Sequence, residues 1–143
     1  MNQPPGFAGP GGAVIQLWPG STEALLEAAA GVTPVWWLRG SRMRTRSALM
    51  DEWAAAAQFP PHFGGNWDAL RDALSDLPRG GTFLVLEADQ LLQEAQAADS
   101  KTLFAVLHDL QDDLTPRPFR IVFQVDPARQ EAILRRFPEL GTA

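Results

Sequence analysis

Residues 59–77 read FPPHFGGNWDALRDALSDL, and the rest of the chain is arranged around them. Phe59-Pro60-Pro61 ends whatever precedes it, because proline lacks an amide hydrogen and restricts its predecessor. His62 and Phe63 then place two rings on a loop expected to be largely extended, and Gly64-Gly65 permits a turn with positive φ. Asn66 is placed to cap a helix. From Trp67 the apolar residues Trp67, Leu70, Leu74 and Leu77 recur at three- and four-residue steps, which is one buried helical face. Asp68, Asp72 and Asp76 stand one turn apart on the other side, with Ser75 between them. Like charges at this spacing each cost a helix about 0.2–0.5 kcal/mol. The helix dipole offsets part of that at Asp68 and none at Asp76. An acidic stripe beside aromatics indicates a surface kept for a basic partner.

Length and composition narrow the classes. At 143 residues, 45% hydrophobic and 20% charged, the chain suits one soluble domain with a real core. No apolar run is long enough to span a membrane, and the N-terminus lacks the pattern of a secretory signal. With no cysteine, disulfides, zinc–thiolate sites and thiol catalysis are excluded. These absences fit a cytoplasmic location. The net charge of −5 conceals a division: residues 62–115 carry ten acids and three bases. A phosphate-bearing ligand would be repelled there and a basic protein attracted.

Along the chain, residues 1–12 (MNQPPGFAGPGG) form a Pro/Gly-rich tail expected to be disordered, and a single domain is expected over 13–143. Ala13–Leu17 leans to a strand, Trp18-Pro19-Gly20 to a turn, and Ser21 caps a helix over Thr22–Ala30 ended by Gly31. Val35–Leu38 reads as a strand buried on both faces, since its apolar run is continuous. Arg39–Arg46 is a basic loop and Ala48–Gln58 a helix with Leu49 and Trp53 inward. Pro78–Gly81 turns the chain into Thr82–Leu86, the clearest buried strand. A helix is expected from Ala88 or Asp89 to about Ala98. Another opens at Asp99-Ser100, buries Leu103, Leu107, Leu110 and Leu114, and ends at Pro116 and Pro118. Phe119–Val125 is a strand, and Pro127 starts a last helix near Arg136. Strands separated by helices need crossovers, which predicts an α/β fold with a parallel sheet of three to four strands flanked by helices.

The pattern His62-Phe63-Gly64-Gly65-Asn66-Trp67-Asp68-Ala69-Leu70-Arg71-Asp72-Ala73-Leu74 resembles the barstar family, small intracellular inhibitors of ribonucleases. The resemblance runs from about Val35 to Val125 and implies a barstar-like fold. The segments at 13–30 and after Pro127 lie outside the smallest members' layout and are read as an added fourth strand and a covering helix. The resemblance implies that Asp72 enters a ribonuclease active site, its carboxylate taking the place of a substrate phosphate. A cationic pocket built for phosphate will accept a rigid carboxylate through charge-assisted bonds. The plain alternative is that Asp72 only solvates a helix.

Around that anchor the partner-binding set implied by the resemblance is His62, Phe63, Gly64, Asn66, Asp68, Arg71, Ser75, Asp109 and Asp113. Asp68 flanks Asp72, and His62 and Phe63 pack over the partner, unless one ring, Phe63 first, plugs the core beneath the loop. Family members often carry Trp where Arg71 stands. Arg71 therefore pairs with Asp68 or with an acid of the partner, which bears on target identity. Asp109, Asp112 and Asp113 are a second acidic set or simply a solvated face. Arg39, Arg42, Arg44 and Arg46 lack interleaved aromatics and are read as a basic loop screening acids internally, not a nucleic-acid site. His62 has no nucleophile nearby to activate. Helical Asp spacing lacks the oxygen-rich loop that Ca²⁺ or Mg²⁺ requires.

The sequence thus predicts an inhibitor, monomeric when free, that occludes a basic ribonuclease one-to-one, without catalytic residues, cofactor, metal, nucleic acid or membrane contact. Two alternatives stand beside it: a hydrolase using the Asp cluster, with or without a metal, and an acidic scaffold for another cationic protein.

Overall fold

A computed structural model describes residues 15–32, 34–77, 81–113 and 120–141. The expected tail at 1–12, the turn at 78–80, and the residues Leu114, Pro116, Pro118 and Phe119 lie outside the described residues. Four parallel strands, β1 (Ile15–Pro19), β2 (Val35–Arg39), β3 (Thr82–Leu86) and β4 (Arg120–Val125), form one sheet in the order β1-β4-β3-β2. Five α-helices connect and flank them: α1 (Thr22–Ala28), α2 (Arg46–Ala57), α3 (Trp67–Ser75), α4 (Ala97–Asp113) and α5 (Gln130–Arg136). This is the α/β architecture expected, with β1 as the fourth strand beside β4.

Side chains alternate across a strand, so each central strand feeds two layers. Leu84 and Val122 meet Trp18, Leu25 and Ala29, so α1 covers one face. Phe83, Val85, Ile121, Phe123 and Val125 face the other, beneath α2 to α5. Phe83 stacks on Trp36 with ring centroids 4.7 Å apart and meets the edge of Trp53 at 5.3 Å. Phe104 joins Phe123 and Phe137, each at 5.6 Å, which brings the end of α5 into the same core.

Three expectations are corrected. Strand β1 runs to Pro19 instead of ending at Leu17, because its pairing with β4 continues to Pro19 opposite Val125. The Gly20 amide then donates to the Val125 carbonyl at 3.0 Å. Strand β2 is not buried on both faces. It is an edge strand, and α1, only seven residues long, leaves Trp37 38% exposed. Its outer edge is partly closed by Glu52, whose carboxylate accepts the Arg39 amide at 3.0 Å, one of the devices that blunt exposed strands.

The third correction is the helix expected over 88–98. Only a 3-10 turn, Ala88–Gln90, forms there, followed by turns. Glu87 and Leu92 both take positive φ, 51° and 54°, which interrupts any helix between them. The backbone groups that a helix would pair internally are held by distant residues. The amides of Leu92 and Glu94 donate to the carbonyls of Met43 and Arg44 at 2.7 and 2.8 Å. The Arg136 guanidinium donates to the Asp89 and Leu91 carbonyls and lies 4.8 Å from the centre of the Phe137 ring. Burial lowers the Arg136 pKa, with the nearby Asp89 opposing the shift.

Phe83 joins β2, β3 and α2 at one point, so Phe83→Ala is expected to destabilise the protein by about 3–5 kcal/mol. Chemical denaturation measures this; a loss under about 1 kcal/mol would contradict the packing described.

Candidate functional site

Helix α2 ends at Gln58, whose left-handed conformation (φ 55°, ψ 53°) turns the chain and returns its amide to the Ala54 carbonyl. The next residues are not extended as expected. The Phe63 amide donates to the Pro60 carbonyl at 3.0 Å, closing a tight turn. Inside it the rings of Phe59 and Phe63 meet at 4.9 Å, and both pack on the main core. Phe63 is thus half-buried and anchors the loop, while His62 is exposed at its tip. The Phe59–Phe63 contact was missed in the sequence, although a four-residue spacing of rings across two prolines was its signal.

Gly65, at φ +68°, supplies the left-handed residue that brings the chain into α3, and Gly64 is exposed beside it. Asn66 caps the helix as expected, its Oδ1 accepting the Ala69 amide at 2.8 Å. Leu70 and Leu74 are fully buried, and Trp67 and Leu77 pack partly on the core. Burying each leucine stabilises the arrangement by about 1.5–3 kcal/mol. With 100° between successive helical residues, that burial turns Asp68 and Asp72 outward, and both are exposed. Asp76 is exposed too, as the C-cap. Ser75 is half-buried, its hydroxyl donating to the Asp72 carbonyl at 2.7 Å, so it braces the helix behind the aspartates.

Arg71 does not pair with Asp68. Its Nε lies 3.9 Å from Asp109 Oδ2 on α4, linking the two helices that carry the acidic residues. Among the described residues neither Asp68 nor Asp72 takes part in an ion pair. Asp113 is the last residue of α4, one turn beyond Asp109. The structure therefore carries His62, Asp68 and Asp72 on one loop–helix unit, with Arg71 of that helix tied to Asp109 on α4. The arginines of the 39–46 segment are elsewhere and partly engaged, with Arg44 paired to Glu94 as an internal screen. Among the described residues no three His, Asp or Glu side chains gather as metal ligands would, and no helix is long and apolar enough to cross a membrane.

A parallel α/β sheet that carries a capped, acidic helix behind an aromatic turn defines a small α/β protein with an exposed acidic helix face. The family follows from the sequence on that scaffold. The chain belongs to the barstar family, whose model, described as barstar (barnase inhibitor), matches residues 33–124. Comparison with curated proteins finds no match. The family match runs from just before β2 to the penultimate residue of β4, so β1, α1 and α5 are additions to the matched unit.

The cap and the acids have opposite consequences for stability. Asn66→Ala is expected to cost about 0.5–2 kcal/mol, the usual value of a lost N-cap. Asp72→Ala is expected to be neutral or slightly stabilising, since it relieves a like-charge stripe. Thermal and urea unfolding of both variants decide the matter; a large loss at Asp72 would mean that it has an internal structural partner.

Proposed function

We propose that this chain is an inhibitor that binds a basic ribonuclease one-to-one and covers its active site with α3 and the His62–Asn66 loop. The observation that carries the reading is the state of Asp68 and Asp72: two exposed carboxylates, one turn apart on a braced helix, without an ion-pair partner among the described residues. A phosphate-binding centre offers several cationic donors, and a carboxylate fixed in position meets them with charge-assisted hydrogen bonds and little loss of freedom. Asp72, at the middle of the exposed face, is the anchor, and Asp68 flanks it. Asp109, already close to Arg71, and Asp113 form the second contact on α4. His62 stands at the loop tip, and Phe63 holds that loop in shape from beneath.

Membership of a family described as an inhibitor of barnase supports this reading over a hydrolase built on the same aspartates. The protein would act inside the cell that makes it, as a monomer until it meets its target, and without a cofactor. Barnase and any basic ribonuclease retained by the chain from its host at low salt are the probes. Wild type is expected to abolish ribonuclease activity at a one-to-one ratio.

Asp72→Ala leaves the target's buried cations uncompensated, a change that typically costs about 3–5 kcal/mol. The loss is expected as faster dissociation, by a rule partly established on the barnase–barstar complex itself. Asp112→Ala is expected to alter chiefly the association rate and its salt dependence. Equal inhibition of a bound ribonuclease by wild type and folded Asp72→Ala would remove the anchor and leave a generic acidic surface. Turnover of RNA by the pure protein, lost in Asp72→Ala, would establish the hydrolase instead.

A further inference from the structure

The connections leave the sheet in opposite directions on either side of the β1–β4 boundary. After β1 the chain enters α1, on the face of Leu84 and Val122; after β4 it enters α5, whose Ile133 and Phe137 belong to the opposite face. In open α/β sheets such a reversal leaves a crevice beyond the carboxyl ends of the strands, and ligands bind there. A cavity of about 690 Å³ opens at this place, walled by residues that end or follow all four strands.

Its floor is built. Gln124 is only 4% exposed, yet both ends of its amide are engaged. Nε2 donates to the Gly20 carbonyl at 2.7 Å, and Oε1 accepts the Glu87 amide at 2.8 Å. One buried side chain on β4 thereby ties the ends of β1 and β3 and fixes the crevice between them. Arg39 and Arg129 line it, both exposed and neither in an ion pair among the described residues. The same lining carries Glu23, Glu87, Asp89 and Asp126. Asp126 is partly spent on the Ala128 amide and Glu87 on the Gln90 side chain.

A simple anion would meet four carboxylates here, and a simple cation would meet two guanidinium groups. We propose that the crevice binds a small zwitterion, a molecule of amino-acid size whose carboxylate faces Arg39 and Arg129 and whose ammonium faces the acids, Glu23 first. The site is separate from the ribonuclease-binding surface. Helix α4 starts where β3 ends and must finish where β4 begins, so Asp109, near its end, lies toward the other end of the sheet. Glu23, Asp126 and Arg129 fall outside the family match while Arg39, Glu87, Asp89 and Gln124 lie within it, so the crevice is shared between the matched unit and the added segments.

The test uses the full chain labelled with ¹⁵N and titrated with glycine, L-glutamine, L-glutamate and L-lysine, with acetate and methylammonium as single-charge controls. At least one zwitterion is expected to shift the backbone amides of Gly20, Glu87 and Asp126 saturably, with a midpoint at or below the millimolar range. The controls are expected to need at least about ten-fold higher concentration, and Arg129→Gln or Glu23→Gln to raise the midpoint by about ten-fold or more. Asp72→Ala is expected to leave it unchanged. The inference is overturned by the absence of saturable shifts with all four zwitterions, by acetate acting as strongly as they do, or by wild-type midpoints in both folded crevice variants. None of these readouts involves a ribonuclease, so the outcome is independent of the inhibitor reading.

Discussion

Burial of Leu70 and Leu74 decides how α3 is turned, and the face it leaves exposed follows from that. A helix has one rotational freedom about its axis, and two fully buried leucines one turn apart remove it. Asp68 and Asp72 are each two residues from Leu70, about 200° around the helix, and so point away from the sheet. The Asn66 cap fixes where the helix starts, and the Phe59–Phe63 contact fixes the turn before it. Ser75 braces the helix behind Asp72. The acids are expected to add little to stability, since neither Asp68 nor Asp72 takes part in an ion pair among the described residues.

The elements legible in the sequence are those determined locally. Thr82–Leu86 announces itself as a buried strand because both of its faces are covered, and it is central in the sheet. The cap, the buried leucines and the outward aspartates follow from spacing alone. Apart from the local Phe59–Phe63 contact, the features that were missed depend on residues far along the chain. Residues 88–98 have helical composition, but Arg136, more than forty positions away, holds the carbonyls of Asp89 and Leu91. Continuity of apolar residues in 35–38 identifies a strand without revealing whether it has one neighbour or two. Arg71 had two acids within a turn, yet among the described residues the acid it pairs with is Asp109, on another helix.

The additions outside the family match serve the fold and extend it. Strand β1 covers the open side of β4, α1 covers the face that would otherwise expose Leu84 and Val122, and α5 delivers Ile133 and, at its end, Phe137 to the core. The same additions contribute Glu23, Asp126 and Arg129 to the crevice at the carboxyl ends of the strands. The crevice is mixed in charge, whereas the exposed face of α3 carries Asp68 and Asp72.

The central claim is that Asp72 occupies the place of a substrate phosphate. Competition tests it most directly: the apparent affinity of the chain for its ribonuclease is measured against rising concentrations of a mononucleotide that fills the ribonuclease active site. The account predicts mutual exclusion, with apparent affinity falling in proportion to nucleotide occupancy for wild type. Unchanged affinity at saturating nucleotide, with a ternary complex formed, would contradict it.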